Sequence, residues 1–101
     1  MRRYRSTITV AELGGLQSHP EYGAVAVRDV PRAVLEDNCC GDMTALEASI
    51  RAVGITHALA VVYEENGEEV WLRDGHHRAH IALTHLAPDY RVPTIVEDYR
   101  P

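Results

Sequence analysis

The fold of this chain is decided by residues 70–78, which read VWLRDGHHR. The first residues of this stretch are β-branched, aromatic and apolar, which is typical of a strand. A helix-like run at residues 79–86 follows directly and ends before Pro88. A strand, a glycine and then a helix start leave backbone N–H groups pointing outward, and the helix dipole adds partial positive charge there. An anion such as phosphate can therefore bind at residues 75–78, which we call the 75–78 turn.

The side chains of the 75–78 turn favour the same ligand. His76 and His77 supply mobile hydrogen-bond donors, and Arg78 supplies a permanent positive charge. A simpler interpretation is also open, in which Asp74 caps the helix and the two histidines face water.

A metal site is the competing interpretation of the histidines. His80 has helical spacing to both His76 and His77, so either pair could share an ion. No H-E-x-x-H pattern is present and no third protein ligand is evident. We therefore predict no dedicated metal site.

Size, charge and residue usage limit the function. With 101 residues, 46% of them hydrophobic, the chain is long enough for one domain, which we expect to span residues 1–101. A net charge of −5 argues against sequence-independent DNA binding, so DNA alone is not an expected partner. All ten basic residues are arginine, which excludes mechanisms that need a Walker or Schiff-base lysine. Cys39 and Cys40 are adjacent, so they cannot form a disulfide framework. The sequence shows no membrane span and no signal peptide. We therefore expect a cytoplasmic protein.

Hydrophobic patterning predicts strands alternating with short helices. The strands are expected at residues 4–10, 24–28, 58–63, 70–73 and 92–96. The helices are expected from Thr9 through Leu16 and at residues 31–36, 44–53 and 79–86, with loops at residues 18–23 and 37–42. This order indicates an α+β domain with a small mixed β-sheet and short helices.

Local motifs predict where these elements begin. Thr9 with Glu12, and Thr44 with Glu47, have the spacing of capping boxes, in which both side chains satisfy N–H groups at a helix start. Residues 66–67, Asn-Gly, predict a type I′ turn that joins two strands as a hairpin.

A series of short motifs then follows the order of a known family pattern. They are Pro31-Arg32 with Leu35-Glu36, Leu46 with Ser49-Ile50 and Gly54-Ile55, residues 60–62, Leu72, the 75–78 turn with Ala82, and residues 92–96. Over residues 30–96 the chain resembles the ParB/sulfiredoxin superfamily. The resemblance implies the fold of that superfamily and a bound nucleotide, which is CTP in partition proteins, ATP in sulfiredoxins and ADP in free serine kinases.

The resemblance also assigns residues. It implies that Gly75, His76, His77 and Arg78 line the phosphates, while Arg32 either reaches the nucleotide or forms a salt bridge within the fold. The sequence of the turn is most similar to that of the free serine kinase branch.

Three features depart from the family pattern. His76 stands where sulfiredoxins need a cysteine, so we expect no sulfiredoxin activity. Partition proteins carry a helix-turn-helix domain and a dimerisation domain after this one, so we do not expect a complete partition clamp. The spacing between Arg32 and Ser49 is longer than in the family, so no role is transferred to residues 37–43.

The leading prediction is phosphoryl transfer or nucleotide hydrolysis at the 75–78 turn. Glu36 is the expected general base, while His77 and Arg78 would stabilise charge on the phosphates. Mg²⁺ would enter with ATP, ADP or CTP, and a small hydroxylated metabolite is the expected acceptor.

Two other functions stay open. One is a non-enzymatic interaction module of phage or plasmid type that binds a host protein or a DNA-associated complex. The other is a ParB-like nuclease, which the acidic net charge does not favour. An exposed edge strand would also allow a homodimer.

Overall fold

Four strands form one mixed sheet in the computed structural model, which describes residues 1–38 and 43–101. They are β1 (Arg2–Thr9), β2 (Leu59–Tyr63), β3 (Val70–Asp74) and β4 (Arg91–Asp98). The sheet order is β1-β4-β2-β3. Strand β4 is antiparallel to β1 and parallel to β2, and β2 and β3 form an antiparallel hairpin. The predicted α+β class with a small mixed sheet is confirmed.

Short helices connect the strands. They are α1 (Val10–Gly15), α2 (Arg32–Asn38), α3 (Thr44–Val53) and α4 (His76–His85), with 3₁₀ turns at Pro20–Tyr22 and Val27–Asp29. The loop predicted at residues 37–42 begins later than expected, because Asp37 and Asn38 extend α2. Residues 39–42, with both cysteines, lie outside the described residues. In the described part of the chain, no helix is long and apolar enough to cross a membrane.

The core lies between the helices and one face of the sheet. Alternate strand residues point to that face, and the buried ones include Leu59, Leu72 and Val92. Helix α4 packs Ile81 and Ala82 into the same cluster. Shortening a fully buried leucine such as Leu72 to alanine typically costs about 2–5 kcal/mol.

The strand predicted at residues 24–28 is wrong. Ala24 has a positive φ of 52°, and Val27–Asp29 form a 3₁₀ turn instead. Ala26 makes an isolated bridge to Gln17. Val27 is buried in the core, where its turn packs against α1 and α4. The apolar residues of this segment therefore reflect packing against helices and not strand pairing.

The two predicted capping boxes have different outcomes. At α1 the Thr9 side chain accepts a hydrogen bond from the Glu12 backbone N–H, at 3.2 Å, so capping by Thr9 is confirmed. At α3 the N-cap residue is Met43, whose side chain makes no capping bond, so the box predicted at Thr44 is wrong. The Glu47 carboxylate instead bonds to side chains of other helices, which are described below with the site.

The hairpin between β2 and β3 is confirmed, but its turn is not of type I′. That turn needs positive φ at both central residues, and Asn66 is not among the described non-glycine residues with positive φ. The Asn66 side chain accepts from the backbone N–H groups of Glu68 and Glu69, at 2.9 and 3.2 Å. This side-chain bonding stabilises a longer loop, in which Gly67 takes the positive φ of 71°.

A buried carboxylate ties together the ends of β1 and β4. Asp98 is fully buried and accepts hydrogen bonds from the guanidinium groups of Arg2, at 2.9 Å, and Arg100, at 2.7 Å. The bonds from Arg100 hold the pKa of Asp98 well below its usual range. The Arg100 guanidinium also lies 4.2 Å from the ring centre of Tyr63 in β2.

Candidate functional site

Gly75 determines how α4 begins. Its φ of 108° lies in the left-handed region, and an added Cβ would lie 2.5 Å from Leu59 Cγ. Both conditions require glycine. Gly75 is the N-cap of α4 and no side chain caps the helix, so the interpretation in which Asp74 caps it is wrong.

The first turn of α4 leaves backbone donors without helical partners. The first helical bond runs from Ala79 N–H to the Gly75 carbonyl, at 2.8 Å. The N–H groups of His76, His77 and Arg78 precede that bond and have no acceptor within the helix. The dipole adds about half a positive charge at this end. The backbone of the 75–78 turn therefore has the geometry that binds anions elsewhere.

The His76 side chain points into the protein. It is 5% exposed, and its Nε2 accepts a hydrogen bond from the His19 backbone N–H at 3.1 Å. The Tyr22 ring lies 4.5 Å away between ring centres. Burial lowers the pKa of His76 to about 4. The ring is therefore neutral at pH 7 and acts as a structural acceptor, so its role is separate from that of the His76 backbone N–H.

The His77 side chain joins α4 to α2. Its Nε2 lies 2.8 Å from the Leu35 carbonyl oxygen, and because a carbonyl only accepts, Nε2 must donate. In the neutral ring Nδ1 is then an acceptor, whereas protonation would place a second N–H there. Leu35 directly precedes Glu36, the predicted general base, in α2.

The Arg78 side chain joins α4 to the start of β2. One of its terminal nitrogens, Nη1, donates to the carbonyl oxygens of His57 and Ala58, at 2.8 and 3.2 Å. The Asp74 carboxylate is 3.9 Å from Nη2 and its side chain is 78% exposed. The two close partners are neutral carbonyls, and the pair with the exposed Asp74 is long and solvated, so it offsets the positive charge of Arg78 only in part.

Arg32 forms salt bridges within the fold. Its guanidinium donates two hydrogen bonds to the Glu47 carboxylate, at 2.9 and 3.3 Å. The Glu36 carboxylate lies 3.4 Å from Arg32 Nε. Of the two roles that were open for Arg32, the structure therefore shows the internal salt bridge. Glu36, the predicted base, is the second partner of the same arginine.

Glu47, which the sequence analysis assigned only to a capping box, is part of this charged region. His85 Nε2 lies 2.7 Å from its carboxylate, so Glu47 joins α2, α3 and α4. Hydrogen bonds from Arg32 and His85 lower the pKa of Glu47 to about 2. The partners are 15 and 38 residues away, so no local signal in the sequence could have identified them.

His80 lies beside this charged group. Burial lowers its pKa, and the positive charge of Arg32 acts in the same direction. Within residues 1–38 and 43–101, no group of three or more His, Cys, Asp or Glu side chains is arranged to hold a metal ion.

Comparison with solved structures defines the class of the fold. No protein-family model matches the sequence, and no curated protein matches it either. The three-dimensional structure nevertheless has the fold of a ParB-like domain, as the resemblance implied.

The matching structure is the C-terminally truncated chromosome-partitioning protein ParB from Caulobacter crescentus, complexed with CTP-γ-S. The TM-score is 0.56 and the sequence identity is 22%, and the match covers 94% of this chain. The chain spans 44% of the length of that ParB chain. The likeness establishes a shared fold.

Proposed function

We propose that this ParB-like domain binds a nucleotide, with the phosphates on the 75–78 turn. The observation that carries the proposal is the uncapped start of α4, where three consecutive backbone N–H groups lack helical partners. A structure of the same fold holds a CTP analogue, which supports a nucleotide as the ligand.

The contribution of each residue follows from its contacts. Gly75 permits the sharp turn, and His76, His77 and Arg78 contribute backbone donors. Arg78 adds positive charge, which the exposed Asp74 carboxylate, 3.9 Å away, offsets only in part. Arg32 is a weaker candidate ligand, since it is already paired with two carboxylates.

Mg²⁺ would fit this arrangement as part of the nucleotide complex. It usually binds through phosphates and water with one or two carboxylates. Asp74 is exposed beside the turn, and Glu36 lies on the α2 side. We propose that ATP, ADP or CTP brings the ion with it.

Phosphoryl transfer or hydrolysis is the finer part of the proposal. Glu36 would accept a proton from water or from a small hydroxylated metabolite, and His77 would stabilise the phosphates. To act as a base, Glu36 must face the nucleotide from its place beside Arg32.

A non-enzymatic interaction module is the second candidate. The contacts of the two predicted catalytic side chains favour it, because His77 donates to a backbone carbonyl and Glu36 lies beside Arg32. Such a domain would bind nucleotide without turnover. Nuclease activity has no comparable support, given the net charge of −5.

The test is thermal unfolding with ATP, ADP, CTP and GTP, with and without Mg²⁺. A ligand that binds the folded state adds about 2.7 kcal/mol of stability at a hundredfold excess over Kd. We expect one nucleotide to raise the Tm of the wild type and to have little effect on Arg78→Ala. The matched control is Arg51→Ala on α3, which should keep the full shift. The absence of a shift with every nucleotide would refute the proposal.

Turnover is tested with the nucleotide that binds. Phosphate release should fall at least tenfold in Glu36→Gln if Glu36 is the base, with unchanged nucleotide binding. Glu65→Gln, at the hairpin tip, is the isosteric control. Binding without any phosphate release or transfer would instead favour the interaction module.

A further inference from the structure

The face of the sheet opposite the helices carries a groove near the β2–β3 hairpin. Val62 of β2 and Trp71 of β3 are paired across the hairpin, and both lie on this face because their neighbours Val61 and Leu72 point into the core. The groove has a volume of about 820 Å³, which is within the usual range of ligand sites. None of the described residues 75–78 lines it, so the groove is separate from the turn proposed to bind phosphates.

Two rings of the groove are held in place by other residues. The Trp71 indole N–H donates to the Glu64 carboxylate at 2.7 Å. The His19 ring packs edge-on against Trp71, 5.6 Å away between ring centres. Its Nδ1 accepts a hydrogen bond from the Glu21 backbone N–H at 3.1 Å. Because both rings are already fixed, a ligand that packs on them costs little side-chain entropy in the groove.

Tyr99 provides an aromatic surface on the other side of β2. Its backbone N–H donates to the Tyr63 carbonyl at 2.9 Å, which continues the pairing of β4 with β2. Its hydroxyl donates to the Glu97 carboxylate at 3.2 Å. The Tyr99 side chain is 39% exposed and lines the groove together with Val62 and Trp71. The groove therefore has an apolar centre with an aromatic ring on each side.

The lining of the groove is also negatively charged. Glu64, Glu65 and Glu69 line it, and neither Glu65 nor Glu69 forms an ion pair with a described residue. Arg73 lines the groove as well, but its guanidinium donates to both carboxylate oxygens of Glu97, at 2.8 and 2.6 Å. Because the charge of Arg73 is offset within the fold, the aromatic surfaces lie beside an excess of carboxylates.

The carboxylates of the groove do not converge on one point. Glu64 and Glu65 precede the hairpin loop and Glu69 follows it. In the part of the chain that the structure describes, no group of three or more His, Cys, Asp or Glu side chains is arranged to hold a metal ion. The arrangement therefore favours a larger cationic group. Guanidinium fits best, because its plane stacks on aromatic rings and its donors pair with carboxylates.

We propose that this groove binds an arginine-containing segment of a partner protein. A guanidinium group would stack on Trp71 or Tyr99 while its N–H groups bond to Glu65 or Glu69. The negative charge favours a basic partner and repels acidic peptides and nucleic acids. This inference does not depend on nucleotide binding.

Trp71 allows a direct test, because it is the only tryptophan of the chain. The probe is a peptide of alternating arginine and glycine, added to the full chain while tryptophan fluorescence is recorded. We expect a saturable change with a Kd on the order of 10–100 µM, and the affinity should fall as the salt concentration rises. A matched peptide carries citrulline, which has the shape of arginine without its charge, and its Kd should be higher by about tenfold.

Variants that keep Trp71 test the role of the lining residues. Glu65→Gln combined with Glu69→Gln should raise the Kd of the arginine peptide about fivefold or more. The matched control is Asp29→Asn combined with Asp89→Asn, which removes the same charge from exposed residues outside the groove and should leave the Kd close to the wild-type value. Tyr99→Leu should raise the Kd about threefold through the loss of one ring. Circular dichroism checks that each variant is folded.

Several results would overturn the proposal. They are an unchanged fluorescence signal with the arginine peptide up to about 1 mM, equal affinity for the citrulline peptide, and an unchanged Kd in the folded variant that lacks both glutamates. Arginine amide tests for a small ligand, and if it bound as tightly as the peptide, the groove would not be a site for a protein segment. A fluorescence change on concentrating the protein alone would assign the groove to a second copy of the chain instead.

Discussion

Helices α1 and α4 begin in contrasting ways. At α1 the Thr9 hydroxyl accepts from a backbone N–H three residues ahead, so the helix satisfies one of its own free donors. At α4 the chain turns through Gly75 and no side chain caps the helix. The first arrangement serves local stability, whereas the second exposes donors and depends on tight packing against β2. The difference shows that a helix start which is unfavourable by itself can persist when the surrounding fold supports it.

We expect the largest loss of stability from Gly75→Ala, which disrupts the packing of the start of α4 against β2. The new Cβ would meet Leu59 at 2.5 Å and would sit at a φ of 108°. Overpacking costs about 1–3 kcal/mol and left-handed strain about 1–2 kcal/mol, so we expect the free energy of unfolding, measured in urea, to fall by about 2–5 kcal/mol.

Gly67→Ala is the matched control for this substitution. Gly67 also has positive φ, but its nearest neighbour would be the flexible Arg100 side chain at 3.7 Å. A loss of about 1 kcal/mol is expected from strain alone. Equal losses in both variants would show that close packing at Gly75 has no special importance.

Lowering the pH should reduce the stability of the folded protein, because the buried His76 at the start of α4 becomes protonated on unfolding. The pKa of His76 is lowered to about 4 in the folded protein, against 6.5 in the unfolded chain. Between these two pH values the unfolded state binds more protons than the folded state does. The free energy of unfolding is therefore highest above pH 6.5 and falls as the pH drops towards 4. The full loss is roughly 3 kcal/mol, at 1.36 kcal/mol per pKa unit.

The pH range in which stability is lost separates the contribution of the two histidines from that of Glu47. His80, whose pKa is also lowered, acts in the same direction. Glu47, with a pKa of about 2 against 4.5, contributes only below pH 4.5. His76→Gln keeps an acceptor for the His19 N–H but cannot titrate, so urea unfolding at pH 6.5 and pH 4.5 should differ less than in the wild type. If the pH dependence of stability were unchanged in this variant, a group other than His76 would be responsible for the loss of stability in acid.

The smallest expected effect is at α1. Thr9→Ala removes the capping oxygen and should cost about 1 kcal/mol. Thr9→Ser, which keeps the hydroxyl, should cost much less. Because this cap is local, neither substitution should change nucleotide binding, and a loss of the nucleotide-induced Tm shift in Thr9→Ala would contradict the contrast between the two helix starts.

The features that could be predicted from sequence are those with local causes. The strand at residues 70–73 and the glycine turn before α4 were recognised because residue type and backbone conformation are directly linked there. The Thr9 cap was predicted for the same reason, since donor and acceptor are three residues apart. Phosphate binding and the catalytic roles remain predictions.

The features that were missed have distant causes. Glu47 has the spacing of a capping residue after Thr44, but Arg32 and His85 bind its carboxylate more strongly than a backbone N–H would. The Val27 segment has strand-like composition, yet its apolar side chain is buried against helices. The inward orientation of the His76 ring depends on His19, 57 residues earlier.

The position of β4 has a consequence for folding. This strand follows the other three along the chain, yet it lies between β1 and β2 and is the one element that joins them. During synthesis, β1 and the β2–β3 hairpin can therefore not be united until residues 91–98 have left the ribosome. Contacts of such long sequence separation slow folding, because a large loop must close before any pairing energy is gained. We expect the newly made chain to stay without its complete sheet until β4 has been synthesised.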